Sequence, residues 1–432
     1  MKSDLRIKAV RALFAVSSVL FLSFHGANLY AQGFGIFEAK GLSQGGATIA
    51  LGSTDQAHFY NPALLSLHDG IEEKTKDGRV SFPVFSGQVS LVLDDLIDIN
   101  DNEIDQALVD AIDLFNDALT PLTAGNAQLA SQDLLDAVDL VNDENVSVDS
   151  FFGFSVSEPS DRQGGAFYLG LRAIGGGSPD IIDEDVALLT DYVEALQFIA
   201  SGGVSGAQNS QIFNDDGTLP DPADVFDSTV EARGAAFLEL GVSLSREFGI
   251  FGWPISVGAT PKLRIGRTFE AVQSIDGNGI DTEADELSFQ TFNADIGLAT
   301  DITKNFRVGI AVKDVISESL DTALGSEVTI EPKTRLGVAY RSSRFELGID
   351  YDLTVVEPVA VEAPVQEIAI GGGWQILKPI HLRLGYRHDM EGNREDIISG
   401  GVGFKIYSFL LDVTYATGAE LQGAGLQMSY AF

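Results

Sequence analysis

Cysteine is absent from this 432-residue chain, and bases are scarce: 27 Lys and Arg stand against 63 Asp and Glu, a net charge of −36. Without thiols there are no disulfides, no thiolate metal sites and no cysteine nucleophiles. So acidic a chain is not expected to bind nucleic acid, which needs Lys and Arg against its phosphates. Long apolar runs are missing too. Beyond Ala12–Phe24, no stretch approaches the ~18 uncharged apolar residues that a membrane-spanning helix requires. What remains is apolar and glycine-rich, with 45% hydrophobic residues, 46 glycines and 27 phenylalanines. That composition can bury a large fold and does not read as disorder.

The first 31 residues read as an export signal. Lys2, Arg6, Lys8 and Arg11 precede the apolar run Ala12–Phe24, and a cleavage point follows Ala31. Most of the mature chain then alternates with a period of two. Leu336, Val338 and Tyr340 fall on one face of their segment, and Arg335, Gly337, Ala339 and Arg341 on the other. Phe345–Asp352, Ile380–Arg387 and Phe306–Lys313 repeat the pattern, which is that of strands with one apolar and one polar face.

A soluble sandwich alternates in the same way, so the connections decide. Fourteen candidate strands, from 79–91 to 422–432, are joined alternately by short and long connections. The short ones include Pro159–Gly164, Gly249–Trp253, Ser342–Ser343 and Tyr407; the longest are 92–147 and 175–232. An even strand count with short turns at one end and long loops at the other is the outer-membrane barrel pattern. The closing strand places Leu426, Met428, Tyr430 and the terminal Phe432 on one face, as a barrel-insertion signal would. The expected fold is therefore an all-β transmembrane barrel of about 14 antiparallel strands, surrounded by outer-membrane lipid. Its inward face carries the candidate lumen charges Arg172, Lys262, Arg264, Arg307, Arg335, Arg383 and Arg387 with Glu239, Asp295, Glu346, Asp350 and Asp412. Such charges either pair for structure or line a water path. Inward glycines at 241, 258, 309, 337 and 385 are expected to relieve crowding where strands curve.

The mature N-terminus does not alternate. It runs from Ala39 through a glycine-rich stretch to Phe59-Tyr60-Asn61-Pro62-Ala63. Pro62 would fix a turn there, and Asn61 could bond its own backbone. This stretch resembles the N-terminal plug of the fatty-acid transporter (FadL-like) barrels, and more closely that of their TraF-type conjugal-transfer relatives. The resemblance covers residues 34–67 and the general barrel layout. It implies a fourteen-stranded barrel with the plug inside, gating the passage of hydrophobic compounds, and Asn61, Pro62 and Ala63 as plug residues. The expected organisation is a signal at 1–31, a plug at 32–78 and a barrel at 79–432. The conjugation label of those relatives has no physical counterpart in these residues.

Charge is unevenly spread. Residues 80–161 hold 17 acids and residues 173–232 hold 12, with no base in either window. Within them, Ile104, Leu108, Ile112, Phe115 and Leu119 share a helical face, as do Leu134, Val138 and Val141, and Val186, Leu189, Val193, Leu196 and Ala200. The two long loops thus read as acidic helical insertions on the outer side, drawing divalent cations without a dedicated metal site. No cofactor is expected. Gly41-Leu42-Ser43-Gln44-Gly45 fits a nucleophile-elbow string but lacks its strand, helix and histidine context, so the chain is not read as an enzyme. Asp98-x-Asn100-x-Asn102 lacks the glycine and terminal acid of a calcium loop, and Asp276-Gly277-Asn278-Gly279 is a turn signal. The function expected is a plugged outer-membrane channel for small or hydrophobic compounds; the alternative is a non-transporting envelope protein whose acidic helical loops bind a partner.

Overall fold

The computed structural model describes residues 34–53, 56–67, 78–90, 104–141, 146–160, 162–204, 212–220, 222–250, 253–274, 285–356, 364–419 and 421–432. The export segment at 1–31, the Asp98–Asn102 stretch and the Asp276–Gly279 turn lie outside them.

Fourteen strands close into one antiparallel barrel. They are β1 (Arg79–Ser90), β2 (Val146–Glu158), β3 (Gln163–Asp180), β4 (Thr229–Ile250), β5 (Trp253–Ser274), β6 (Asp285–Asp301) and β7 (Phe306–Lys313). After a small hairpin, β8 (Glu318–Asp321) and β9 (Glu327–Ile330), come β10 (Lys333–Arg341), β11 (Phe345–Asp352), β12 (Glu367–Leu377), β13 (Ile380–Asp389), β14 (Ile397–Ile406), β15 (Phe409–Thr417) and β16 (Leu421–Ala431). Each pairs with its neighbour in sequence, β7 meets β10, and β16 closes on β1 from Arg79↔Ala431 to Ser90↔Leu421. Closure leaves no strand edge, which is what allows a sheet to sit in hydrocarbon.

The alternation sorts the side chains as expected. Leu336, Val338, Leu347, Ile349, Leu382, Leu384, Val413 and Met428 are exposed on the outer face, a belt far too apolar for a protein surrounded by water. Aromatic residues gather at the short-turn rim. Phe248, Trp253, Phe306, Tyr340, Phe345, Trp374 and Phe409 flank short turns and are exposed, as is Tyr430, which pairs with Phe409 at the end of β16. Phe306 packs edge-on against Tyr340 at 5.1 Å, and Phe409 against Tyr430 at 5.2 Å. Such a girdle marks a membrane–water boundary. The chain is therefore a transmembrane β-barrel.

Several boundaries differ from the sequence reading. Residues 175–180 and 229–232 belong to β3 and β4 and not to a loop, because Gly175–Asp180 pairs with Thr229–Gly234. Glycine and Pro179 weaken the strand signal there, and pairing on both sides overrides it. Val146 and Ser147 likewise start β2. β4 and β5 each have 22 residues, twice the 9–11 that cross a bilayer, so this part of the wall stands well above it.

The two longest connections carry helices: α2 (Ile104–Ala118) and α3 (Pro121–Val141) between β1 and β2, and α4 (Asp183–Ala200) and α5 (Pro222–Val225) between β3 and β4. Leu108, Ile112, Phe115, Leu134, Val138, Leu189 and Leu196 form a separate core with Tyr192 and Ile199. Leu119 departs from the expected face. It lies past the end of α2 at φ +47 and is exposed.

Candidate functional site

Residues 34–67 lie buried against the inner face of the barrel wall. Among the described residues no strand ladder ties this segment to the wall. It holds a short helix, α1 (Ala39–Ser43), and single turns at Ala57–Phe59 and Pro62–Ser66. Its course follows a track of inward glycines. Ala39 rests on Gly425 of β16, Ser43 on Gly401 of β14, Gln44 on Gly385 of β13 and Gly371 of β12. Leu51 then lies on Gly348 of β11, Ala50 on Gly337 of β10, Asn61 on Gly297 of β6, and Pro62 on Gly258 of β5. At each of these a Cβ would overlap the segment. The glycines at 258, 309, 337 and 385 are thus seats for the N-terminal chain, a stronger requirement than the relief of curvature expected of them. Gly241 faces the Tyr168 ring instead.

The segment is fixed by side-chain to backbone bonds. The Asp350 carboxylate accepts from the amides of Thr48 at 2.6 Å and Ile49 at 2.8 Å. Asn61 works in three directions: its Oδ1 accepts from the Ala63 amide at 3.1 Å, and its Nδ2 donates to the carbonyls of Ile49 at 2.9 Å and Leu298 at 3.3 Å. Pro62 follows at the first turn position, where the missing N–H costs nothing. The Ala63 carbonyl accepts from Ser245 Oγ at 3.1 Å. Thr414 Oγ1 donates to the Ala39 carbonyl at 2.6 Å, and Gln44 Nε2 to Glu346 at 2.9 Å. Ser43 Oγ, the would-be nucleophile, donates to the Lys40 carbonyl of its own turn at 2.7 Å.

Aromatic residues of the segment meet cations of the wall. Lys313 Nζ lies 3.8 Å from the Phe37 ring centre, with Arg172 at 4.6 Å, and Arg335 sits 4.7 Å from Phe34. Desolvated contacts of this kind contribute on the order of 2 kcal/mol each. Glu38 is fully buried and caps α1, accepting from the amides of Lys40 at 2.7 Å and Gly41 at 2.5 Å and from the Gln56 amide group. Burial pushes its carboxyl up to about 7, against the lowering effect of those bonds.

The candidate lumen charges are placed inside, nearly all in pairs. Lys262 bridges Asp295 at 2.7 Å and Asp314 at 2.5 Å; Arg264 bridges Glu239 at 2.6 Å and Asp314 at 2.5 Å. Arg335 meets Asp352 at 2.5 Å and Glu367 at 3.0 Å, and Arg387 meets Glu367 at 3.4 Å. Arg383 pairs with Asp412 at 2.6 Å, Arg307 with Asp301 at 2.7 Å and Arg172 with Asp149 at 3.5 Å. Glu346 and Asp350 serve the N-terminal segment, as above.

Above the Lys262–Arg264 group lies the β8–β9 hairpin. Leu320, Val328 and Ile330 pack on Ile174, Ala235 and Phe237 of the raised wall. Glu318 accepts from Asn293 Nδ2 at 2.6 Å, and Thr268 Oγ1 donates to the Asp321 carbonyl at 2.8 Å. From this side, then, the interior presents a hairpin, a buried ionic layer and the N-terminal segment in turn.

Several of these residues escape a sequence reading. Asp314 follows Arg307, Gly309, Ala311 and Lys313, so strict alternation assigns it to the lipid face. A φ of +54 breaks the alternation and brings its carboxylate to Lys262 and Arg264. Glu318 lies on a four-residue strand too short for a periodic signal. Phe34, Phe37 and Glu38 have no local pattern; only the unusual density of aromatics before a glycine-rich run marks them. Leu426, Met428, Tyr430 and Phe432 lie on the outer face of β16 and just after it.

A family model described as "F plasmid transfer operon, TraF, protein" matches residues 58–352. No curated protein matches the chain. Among solved structures, the Pseudomonas putida toluene transporter TodX is similar at 10% identity, covering 94% of this chain and 98% of that one, with a TM-score of 0.44. A Pseudomonas aeruginosa FadL homologue is similar at 12% identity over 94% of this chain and 100% of that one, with a TM-score of 0.47. Identities of 10–12% say nothing about a ligand.

Proposed function

For a chain that belongs to the TraF family, described as "F plasmid transfer operon, TraF, protein", we propose a channel-type barrel of the outer membrane that passes small or hydrophobic compounds and is held shut by its N-terminal segment. One observation carries this reading. Residues 34–67 are received by a track of glycines and held by side-chain bonds, with no ladder to the wall among the described residues, so the segment can leave without unravelling a strand. A part needed only for stability would more simply be woven into the sheet. Small hydrophobic compounds fit better than ions, because the cationic and anionic groups of the lumen are already engaged with one another. An unpaired ring of one sign is what would select ions.

The test is a deletion of residues 34–67 in the full-length protein, reconstituted in planar bilayers and in proteoliposomes. The deletion is expected to raise conductance and the uptake of a small hydrophobic solute at least tenfold. Unchanged values in a correctly folded barrel mean that transport is the wrong class.

A further inference from the structure

The helices between β1–β2 and β3–β4 have a chemistry that changes along their length. In chain order α3 precedes β2 and α4 follows β3, while α2 joins α3 through residues 119–120. The far end of α4 lies by the start of α3, where Ala200 Cβ is 3.8 Å from the place a Gly125 Cβ would occupy. Three helix ends therefore meet at a tip, about 30 Å along the 21-residue α3 from the end that leads toward β2. Along the shaft, Asp113, Asp117, Asp133, Asp136 and Glu194 are exposed. At the tip the charges stop. Residues 118–132 and 195–214 contain no Asp, Glu, Lys or Arg.

In their place stand exposed apolar side chains: Leu122 at 76%, Val204 at 71%, and Leu119, Leu129 and Phe198 at 39–59%. The same helices bury Phe115, Ala124, Ala127, Leu196 and Ile199 next to them, so these five are not left over from a missing core. We propose that this tip is a docking surface for a protein partner that offers an apolar patch fringed with Lys and Arg. The apolar tip supplies the dry centre of the contact, and the base-free acidic shaft selects a basic rim and draws it in from a distance. Like charge on the shaft disfavours a second copy of this chain as the occupant, and the same repulsion disfavours an anionic lipid surface. The inference holds independently of conduction.

The test uses the full-length protein in nanodiscs and three probes: an 18-residue amphipathic helix with a leucine face and lysine flanks, the same peptide with glutamate flanks, and phosphatidylcholine vesicles. The lysine peptide is expected to bind, and the other two are not. The decisive variant is Leu122→Asp with Val204→Asp. It makes the tip more acidic, so attraction by charge alone would tighten binding of the lysine peptide, whereas apolar docking predicts a loss of tenfold or more. Leu129→Ser with Phe198→Ser removes apolar surface without adding charge and is expected to weaken binding in the same direction. Equal or tighter binding by either double variant, equal binding of the glutamate peptide, or tip-dependent capture by the vesicles in place of the peptide overturns the proposal.

Discussion

The lumen and the helical cap solve opposite electrostatic problems with the same residue types. Inside the barrel, Arg264, Lys262, Glu239, Asp295 and Asp314 are all buried and arranged as one alternating cluster. In the cap, Asp113, Asp117, Asp133 and Asp136 stand exposed in a sequence window with no base at all. Burial forces pairing, because an isolated charge removed from water costs several kcal/mol. Water and salt relieve the cap of that constraint, so its charge is free to be one-signed. Pairing therefore reports on the barrel's construction, and the sign of the cap's charge reports on what it meets.

The largest expected effect breaks the comparison at its centre. Arg264→Met leaves Glu239 and Asp314 short of a partner in a closed interior and should cost about 3–5 kcal/mol. Asp117→Asn on the cap should stay within about 0.5 kcal/mol of the parent. Unfolding in urea, followed for both variants in the same detergent, reads the two values. Comparable losses would mean that the lumen is wetter than its packing implies.

A second comparison sets inward against outward glycines. A side chain at Gly337 would strike the Ala50 amide and the Ile49 side chain, whereas a Cβ at Gly165 meets neighbours only at ordinary contact distance, 3.8 Å or more. Gly337→Val is expected to loosen residues 34–67 while the barrel persists, seen as at least tenfold faster proteolytic nicking of that segment. Gly165→Ala should leave nicking unchanged. An equal response at the two positions would remove the case for a glycine track.

How much of this was legible in the residues differs by region. The wall was, because a period of two runs through most of its length, as at Leu336, Val338 and Tyr340, and because short and long connections alternate. The role of Asn61 in bonding its own turn was legible from Asn-Pro-Ala chemistry. Its bonds to Ile49 and Leu298 were not, since they join positions far apart in sequence. The glycine track was hidden for the same reason: each glycine looks local, and only closure of the barrel lines up Gly258, Gly297, Gly337 and Gly385 beneath one chain. Asp314 was lost to a single left-handed residue, which no periodicity can signal.

The smallest expected effect concerns Glu38, an acid in the packed interior but on the N-terminal segment and not on a spanning strand. Burial holds its carboxyl at about 7 when the segment is seated, while a water-exposed glutamate titrates near 4.5. The seated form therefore binds its proton more tightly than the released form. Seating is strongest below the lower value, weakens as pH rises through the window from 4.5 to 7, and levels off above it. Amide exchange of residues 34–67, corrected for its intrinsic pH dependence, should lose protection at least tenfold between pH 5 and pH 8. Glu38→Gln cannot ionise and should flatten that profile. Deleting the cap helices at 104–141 should leave its midpoint in place, because the shift arises from burial in the lumen and not from the distant acidic field. A midpoint that moves with the cap would place the control of the segment in the outer charge instead.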